Sequence, residues 1–561
     1  MKPLASYLFF VFFLLTVVFL SSFALAHADG SVYNDFLQCL KNQSQSSTNV
    51  SDILYSKEST QYNSILTAYI RNLRFSYPTT PKPVLIVTPL TVSHVSAAVI
   101  CSRDHGLHLK IRSGGHDYEG ISYVSDDAFV ILDMFNLRAI RVDPVAKTAY
   151  VEAGATLGEL YYRIQEKSTM LGFPAGVCPT VGAGGHISGG GYGNMIRKHG
   201  LSVDHVIDAV VVDAQGRVLN RTTMGEDLFW AIRGGGGASF AVIVSYTLCL
   251  VPVPEKVTVF NVKRFNATDL VYKWQFVMKD VDHNLFIRLL LQPVTDPHQP
   301  KARKLASRVT FIALFLGDSD TLMSVLKAAF PELGVTKADC LEMTWPQSVL
   351  YWANFDQGTP FEVLLSRNYT ADYLKRKSDY VQQPISKVGL QLLMNKLVQL
   401  AKPGLVFNSY GGVMSTIPAS ATPFPHRAGN LFKIQYSTSW KDPGQQIDDK
   451  NMGLIRELHS FMTPYVSKNP RGAYLNYRDL DIGVNHNGTY TEGEVYGRKY
   501  FLGNFDRLVK VKTVVDPHNF FRNEQSIPVL KSQGKILRFG YANYCNNKSS
   551  KMISVLLQHT C

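Results

Sequence analysis

The sequence predicts an α+β protein of two or three domains, on three observations. Its 561 residues are enough for that number at roughly 100–200 residues per domain. From Pro83 to Leu250 short apolar strands alternate with helices, and glycine-rich loops interrupt them. From about Lys256 to Ala401 the segments lengthen and glycine thins out, as in a second domain of different design. A hydrophobic content of 46% against 18% charged allows a large core and excludes global disorder.

The elements follow in order. Lys2 precedes an apolar run from Tyr7 to Leu20, and Ala24-Leu25-Ala26 fits a small-residue cleavage site, so residues 1–26 read as a secretory signal peptide. The run is short for a membrane span, and no later apolar stretch reaches about 18 residues. A soluble secretory protein is expected. Asn-x-Ser/Thr sequons at Asn42, Asn49, Asn220, Asn266, Asn368, Asn487 and Asn547 fit that route and predict glycosylation. Asp35 to Leu40 reads as a helical cap and Val84 to Val87 as a buried strand. Val92 to His105 has helical spacing, and Leu107 to Arg112 is a strand running into Ser113-Gly114-Gly115-His116-Asp117-Tyr118. Ala128 to Met134 and Thr148 to Ala153 are further strands, and Thr156 with Glu159 makes a capping box for a helix through Lys167. Val206–Val212 and Arg217–Leu219 bracket Gln215-Gly216 as a hairpin. Asp227 to Arg233 is a helical turn ending in Gly234–Gly237, Phe240 to Leu250 is a strand, and Pro252 and Pro254 mark a boundary. Longer strands and helices follow, among them Leu289–Pro293, Ala306–Leu316 and Ser386–Leu400. Two loop-rich blocks, Asn408–Trp440 and Tyr474–Pro528, precede a basic tail.

The densest glycine stretch runs from Phe173 to Lys198 and holds eight glycines, with Cys178 just ahead of the thickest part. Glycine lets the backbone take positive φ and come close to another molecule. Successive exposed N–H groups there make a concave site for anions such as phosphate. Ile187, Tyr192 and Met195 interrupt the glycines as packing residues do, which separates the stretch from a flexible linker. Seven cysteines, an odd number in an oxidising compartment, leave at least one without an intramolecular partner. Cys178 is the candidate, and a thiol beside a diphosphate cradle suggests a tightly held nucleotide cofactor.

Other chemistries lack their signatures. There is no GxGxxG after a strand, no GxxxxGK[ST] loop, no HExxH and no GxSxG elbow. His105 and His108 have no carboxylate or thiolate beside them, so no metal site is expected. The net charge of +13 comes without a run of five basic residues, so nucleic acid is not an expected partner; anionic polysaccharide surroundings suit it better.

Six motifs carry a family resemblance. RSGGHDYEG (Arg112–Gly120), CPTVGAGGHISGGGYG (Cys178–Gly193), DLFWAIRGGGGASF (Asp227–Phe240), PFPHRAGNLFKIQY (Pro423–Tyr436), YLNYRDLDIG (Tyr474–Gly483) and DPHNFFRNEQSIP (Asp516–Pro528) resemble the plant berberine bridge enzyme-like flavoproteins, of the vanillyl-alcohol-oxidase flavin fold. The resemblance implies a two-lobed FAD-binding domain at 27–252, an inserted antiparallel-sheet substrate domain at 253–470, and a C-terminal segment at 471–530 that completes the FAD domain, with 531–561 unassigned. It implies FAD joined twice, His116 through its imidazole to the 8α-methyl and Cys178 through its sulfur to C6. Arg112, Ser113, Gly114, Gly115, Asp117, Thr180, Val181, Gly182, Gly184, Gly185, His186, Ser188, Gly189, Gly190, Gly193 and Asn194 would complete the cofactor bed. It implies a Cys39–Cys101 disulfide, with Cys249 and Cys340 as core thiols.

The same resemblance supplies catalytic candidates at Tyr118, Tyr192, Asn408, Lys433, Gln435 and Tyr477. Tyr192 is the base in members that oxidise aromatic allylic alcohols, with Lys433 stabilising its anion; Tyr477 is the base in members that cyclise prenylated phenols. Both stay open. Members that close the berberine bridge carry glutamate where Gln435 stands, so that chemistry is not expected. Val181 occupies the oxygen-gating position, and a valine there goes with oxidases. The expected activity is a secreted FAD oxidase acting on an aromatic or allylic alcohol, a prenylated phenol or a carbohydrate, with O2 reduced to H2O2. The alternatives are a pericyclase that retains FAD and catalyses a non-redox [4+2] cycloaddition, with Arg288 activating a carbonyl, and a non-catalytic binding protein. A monomer in the cell wall, extracellular space or vacuole is expected. Thr416 stands where many relatives carry glutamate, and no role follows for it.

Overall fold

The structure, a computed structural model, describes residues 31–44, 49–297 and 304–530. The expected leader at 1–26, the tail 531–561, the sequon Asn547, and Cys545 and Cys561 lie outside the described residues.

The first sheet carries the loop of His116. Leu85–Val87 and Phe129–Asp133 are buried along their whole length, which suits strands covered on both faces. Phe129–Asp133 pairs in parallel with both Leu85–Val87 and His108–Arg112, and Leu54–Ser56 closes the far edge antiparallel. Helix Val92–Asp104, capped by Thr91, connects Leu85–Val87 to His108–Arg112. A disulfide joins its Cys101 to Cys39 on the helix at 31–43.

The second sheet is antiparallel in the order Ile140–Asp143, Thr148–Glu152, Val242–Cys249, Val206–Val212, Val218–Leu219. Helix Leu157–Lys167 opens on the Thr156–Glu159 capping box that the spacing predicts. Helix Arg221–Ile232 begins earlier than the expected turn at Asp227 because Asn220 caps it, and non-helical Gly225 (φ 76°) then kinks it. Only the half beyond that kink shows helical spacing in the sequence.

The third sheet has seven antiparallel strands: Leu341–Met343, Val257–Phe265, Leu305–Phe315, Leu285–Thr295, Gly404–Ser409, Phe432–Trp440 and Tyr373–Val381. Strand periodicity of two divides its faces. Ile287, Leu289, Phe407, Ile434 and Tyr436 pack into one apolar cluster with the helices Thr268–Asp280, Lys387–Leu400 and Gln445–Phe461. The alternate residues Arg288, Asn408, Lys433 and Gln435 take the other face. The chain then returns to the first lobe: Phe520 and Phe521 pack with Val95, Val99 and Leu109.

Cys178 and Cys340 are free. Cys249 is disulfide-bonded, which corrects the expectation of a core thiol there. The six described sequon asparagines are all exposed. Among the described residues no helix is long and apolar enough to cross a membrane.

Candidate active site

A cavity of about 490 Å³ separates the open face of the seven-stranded sheet from the glycine-rich loops. Ser113, Gly114, Gly115, His116, Asp117 and Tyr118 line it from one loop, and Cys178, Val181, Gly182, Gly184, Gly185, His186, Ser188, Gly189 and Tyr192 from the other. Gln435 and Tyr477 line it from the sheet and the C-terminal segment. The N–H groups of Gly114 through Tyr118 have no acceptor among the described residues, which leaves a row of donors for an anion. A Cβ added to Gly185 would meet no atom within 4 Å, so the bed is open there.

Most of the loop glycines answer to packing. A Cβ on Gly114 would lie 2.3 Å from the Gly182 nitrogen, and one on Gly182 would lie 2.3 Å from the Gly114 nitrogen. Gly115 has φ +65°, and a Cβ there would lie 1.9 Å from the Tyr69 carbonyl oxygen. Two loops far apart in sequence can touch only because both are bare at this point. His116 and Cys178 thereby share one cavity.

His116 Nε2 lies 2.9 Å from the Thr180 hydroxyl, and its ring meets Tyr369 edge-on with centroids 5.1 Å apart. Burial first, then the Arg71 charge, push its pKa down to about 3, so the imidazole is neutral and nucleophilic at physiological pH. Cys178 opens onto the cavity. Burial of its surroundings raises the thiol pKa, and Arg288 and Arg376 oppose that shift. His186 Nε2 accepts from the Gly176 N–H at 3.1 Å, and burial lowers its pKa to about 3. Its ring proton therefore sits on Nδ1, and it braces the glycine stretch.

On the sheet face, register sets Arg288, Asn408, Lys433 and Tyr380 side by side across four strands. Directly opposed residues share a face. Arg288 Nε donates to Asn408 Oδ1 at 3.0 Å. Lys433 Nζ lies 3.0 Å from the Tyr192 ring centroid, 4.0 Å from that of Tyr474 and 4.3 Å from that of Tyr477. Burial, then Arg288, pull its pKa well below the ordinary lysine value. Neither its Nζ nor Asn408 Nδ2 has a hydrogen-bond partner among the described residues. The hydroxyls of Tyr192 and Tyr477 bond to each other, and Gln435 Nε2 donates to Tyr118 Oη at 3.1 Å. Burial raises Tyr192 while Arg288 opposes it, and burial raises Tyr477 well above the phenol range.

Some expected residues stand back from the cavity. The Arg112 guanidinium is buried and fully engaged: it donates to Asp133 at 2.6 Å and to the carbonyls of Leu66 and Ile65. It anchors the end of the strand that carries the His116 loop. Thr180 acts through His116, and Gly190, Gly193 and Asn194 do not line the cavity. Lys433 and Asn408 lie behind the lining. Arg376, Tyr369, Tyr474 and Asn476 line it without having been read from sequence. The run Lys375-Arg376-Lys377, three basic residues within one strand, was the available signal for the first.

Residues 83–222 match the family described as FAD binding domain, and residues 473–528 the family described as berberine and berberine like. Berberine bridge enzyme-like 21 of Arabidopsis thaliana is 55% identical over 541 residues, 95% of this chain and 99% of its own. The chain belongs to the berberine bridge enzyme-like family. It is an FAD-binding oxidoreductase of the flavin fold that the motifs imply. Among solved structures, Phl p 4, a grass pollen allergen with glucose dehydrogenase activity, is 43% identical with a TM-score of 0.83, over 89% of this chain and 100% of that one. An isoleucine-to-valine variant of Phl p 4, described as a glucose oxidase, gives 44% and 0.83 at the same coverage.

Proposed function

We propose that the protein is a secreted oxidase in which His116 and Cys178 both bond covalently to FAD. The observation that carries this is one cavity holding a neutral imidazole, an open thiol and a row of unengaged N–H donors. Bound FAD would supply the two-electron acceptor that takes a hydride from the substrate carbon. The chain's own groups would bind the donor, shed water and take its hydroxyl proton. The bonded Tyr192–Tyr477 pair is the proton acceptor, with Arg288 favouring the phenolate. Lys433 lies against the rings and not at the hydroxyls, and burial disfavours its ammonium form, so Arg288 is the cation that would stabilise that anion. Gln435, Ser437, Arg288 and Arg376 make this end of the cavity polar. Arg376 spends donors on the carbonyls of Lys375 and Thr438 and on the Ser439 hydroxyl, whereas Arg288 donates through Nε to Asn408 and has no carboxylate in salt-bridge range among the described residues, which suits an oxygen-rich donor such as a carbohydrate better than a purely aromatic alcohol.

Val181 lines the same cavity and supports dioxygen as the final acceptor, giving H2O2. The leader sequence and six exposed sequons support glycosylation and the secretory route, to wall, extracellular space or vacuole.

Acid denaturation tests the linkage: yellow colour stays with the precipitate, and colour in the supernatant refutes it. His116→Ala and Cys178→Ala should each keep one attachment, and His116→Ala, Cys178→Ala together none. Anaerobic mixing with a panel of sugars and aromatic alcohols should bleach the flavin. Product without bleaching would favour the pericyclase reading. Val181→Leu should slow re-oxidation by O2 and leave bleaching unchanged.

A further inference from the structure

The loop of His116 is tethered by buried charge. Glu119, three residues beyond His116, has a side chain 3% exposed; it pairs with Lys375 Nζ and lies 3.7 Å from Arg74. Lys375 also meets Asp479 at 2.8 Å and Asp481 at 3.5 Å. Lys377 holds the same two carboxylates at 2.5 Å and 2.9 Å, and Arg456 closes on Asp481 at 2.7 Å. Four cations and three anions thus lock the His116 loop, the edge strand Tyr373–Val381 and the segment of Tyr477 into one body. Four of the seven neighbour a cavity residue: Glu119 follows Tyr118, the two lysines flank Arg376, and Asp479 lies two residues past Tyr477.

We propose that Glu119 is a positioning residue for His116, holding the loop for attachment to the flavin, while Asp479 positions the Tyr477 segment. The inference rests on the reading that His116 carries FAD. Attachment replaces one C–H bond of the flavin 8α-methyl by a C–N bond to the imidazole. Two protons leave, one from the methyl and one from the ring nitrogen, and the two electrons left on the flavin pass to dioxygen to give hydrogen peroxide. Such a bond forms only with the reacting atoms held about 3–3.5 Å apart, and a misplacement of about 1 Å costs on the order of 100-fold in rate. Between Arg112 and Glu119 the loop is otherwise held by neutral contacts alone: Ser113 Oγ donates to the Ala153 carbonyl at 2.6 Å, Gln435 Nε2 to Tyr118 Oη at 3.1 Å and Asn72 Nδ2 to the Tyr118 carbonyl at 2.7 Å, Thr180 touches the His116 ring, and Gly114 and Gly115 pack on Gly182 and Tyr69. Neutralising Glu119 leaves Lys375 paired with Asp479 and Asp481, so the buried cation keeps partners. The loop alone loses its charged tether.

The test uses the full chain with flavin bound. Wild type, Glu119→Gln and Asp479→Asn are digested, and mass spectrometry counts flavin on the His116 and Cys178 peptides separately. Glu119→Gln should lose most His116-linked flavin and keep the Cys178 linkage, whereas Asp479→Asn should keep both. Arg74→Gln, which removes the longer of the two ion pairs of Glu119 together with a weak bond to the Leu374 carbonyl, should give a smaller loss in the same direction and carries the test if Glu119→Gln does not fold. Wild-type attachment at His116 in Glu119→Gln would overturn the inference alone, as would equal loss in Glu119→Gln and Asp479→Asn. A wild type without flavin on His116 would overturn the bicovalent reading and this inference with it.

Discussion

Replacing His426 by phenylalanine should make the protein less sensitive to acid. The ring is buried, stacks on Tyr380 with centroids 3.9 Å apart and planes 14° from parallel, and bonds the Tyr500 carbonyl through Nε2 at 3.1 Å. Because a carbonyl only accepts, Nε2 carries the hydrogen. Burial lowers its pKa from 6.5 to about 3. The folded value lies below the unfolded one, so as pH falls below 6.5 the unfolded chain gains a proton that the native state refuses. Stability is therefore full above 6.5 and falls until about pH 3. Each unit in that window costs about 1.36 kcal/mol, so moving from pH 7 to pH 5 costs about 2 kcal/mol through this residue alone. At roughly 2 °C per kcal/mol for large domains, that is on the order of 4 °C. The assay is the melting midpoint of wild type and His426→Phe at both pH values. Phenylalanine keeps the stacking and loses the carbonyl bond, so the variant can melt lower at pH 7. The drop between the two pH values is what should shrink by that amount. An equal drop in both proteins would refute the reasoning.

Gly115→Ala should abolish the flavin site: the added Cβ would lie 1.9 Å from the Tyr69 oxygen at φ +65°, where a non-glycine residue costs a further 1–2 kcal/mol or so; absorbance of the purified protein reads it. Cys39→Ser with Cys101→Ser, which opens a separation of 62 residues, should cost about 4 kcal/mol by loop entropy, seen as a lower denaturant midpoint. Tyr477→Phe removes the hydroxyl bonded to Tyr192; if that pair takes the substrate proton, flavin reduction should slow by about 10²–10⁴-fold with substrate binding kept, in anaerobic stopped flow.

The cofactor half of the site was legible because its chemistry sits in unbroken motifs. His116 and Cys178 stand out as nucleophiles among glycines, and Thr156–Glu159 is a local hydrogen-bond pattern that needs no tertiary context. The substrate half was less legible: one motif crosses it, at Lys433 and Gln435, and beyond that only Asn408 and Arg288 were read from sequence. Arg376 lies on a strand whose neighbours Lys375 and Lys377 go to buried carboxylates on the opposite face. A run of three basic residues does not show which of them meets the cavity. Arg112 is the reverse case: the family motif places it in the cofactor bed, while Asp133 and two backbone carbonyls take its donors.

What joins the two halves is a contact that neither contains alone. Gly114 and Gly182 approach so closely that a Cβ on either would fall within 2.3 Å of the other's backbone, and that approach sets the imidazole and the thiol around one space. Read from sequence, these glycines suggest a bed for phosphate. In the fold, Gly185 stays open to the cavity, while Gly114, Gly115 and Gly182 act against protein. Alanine at Gly185 should thus be tolerated by the apo fold and felt only through the cofactor. Alanine at Gly114 or Gly182 should separate His116 from Cys178 and lower both attachments together. That contrast distinguishes a glycine kept for the ligand from one kept for the chain.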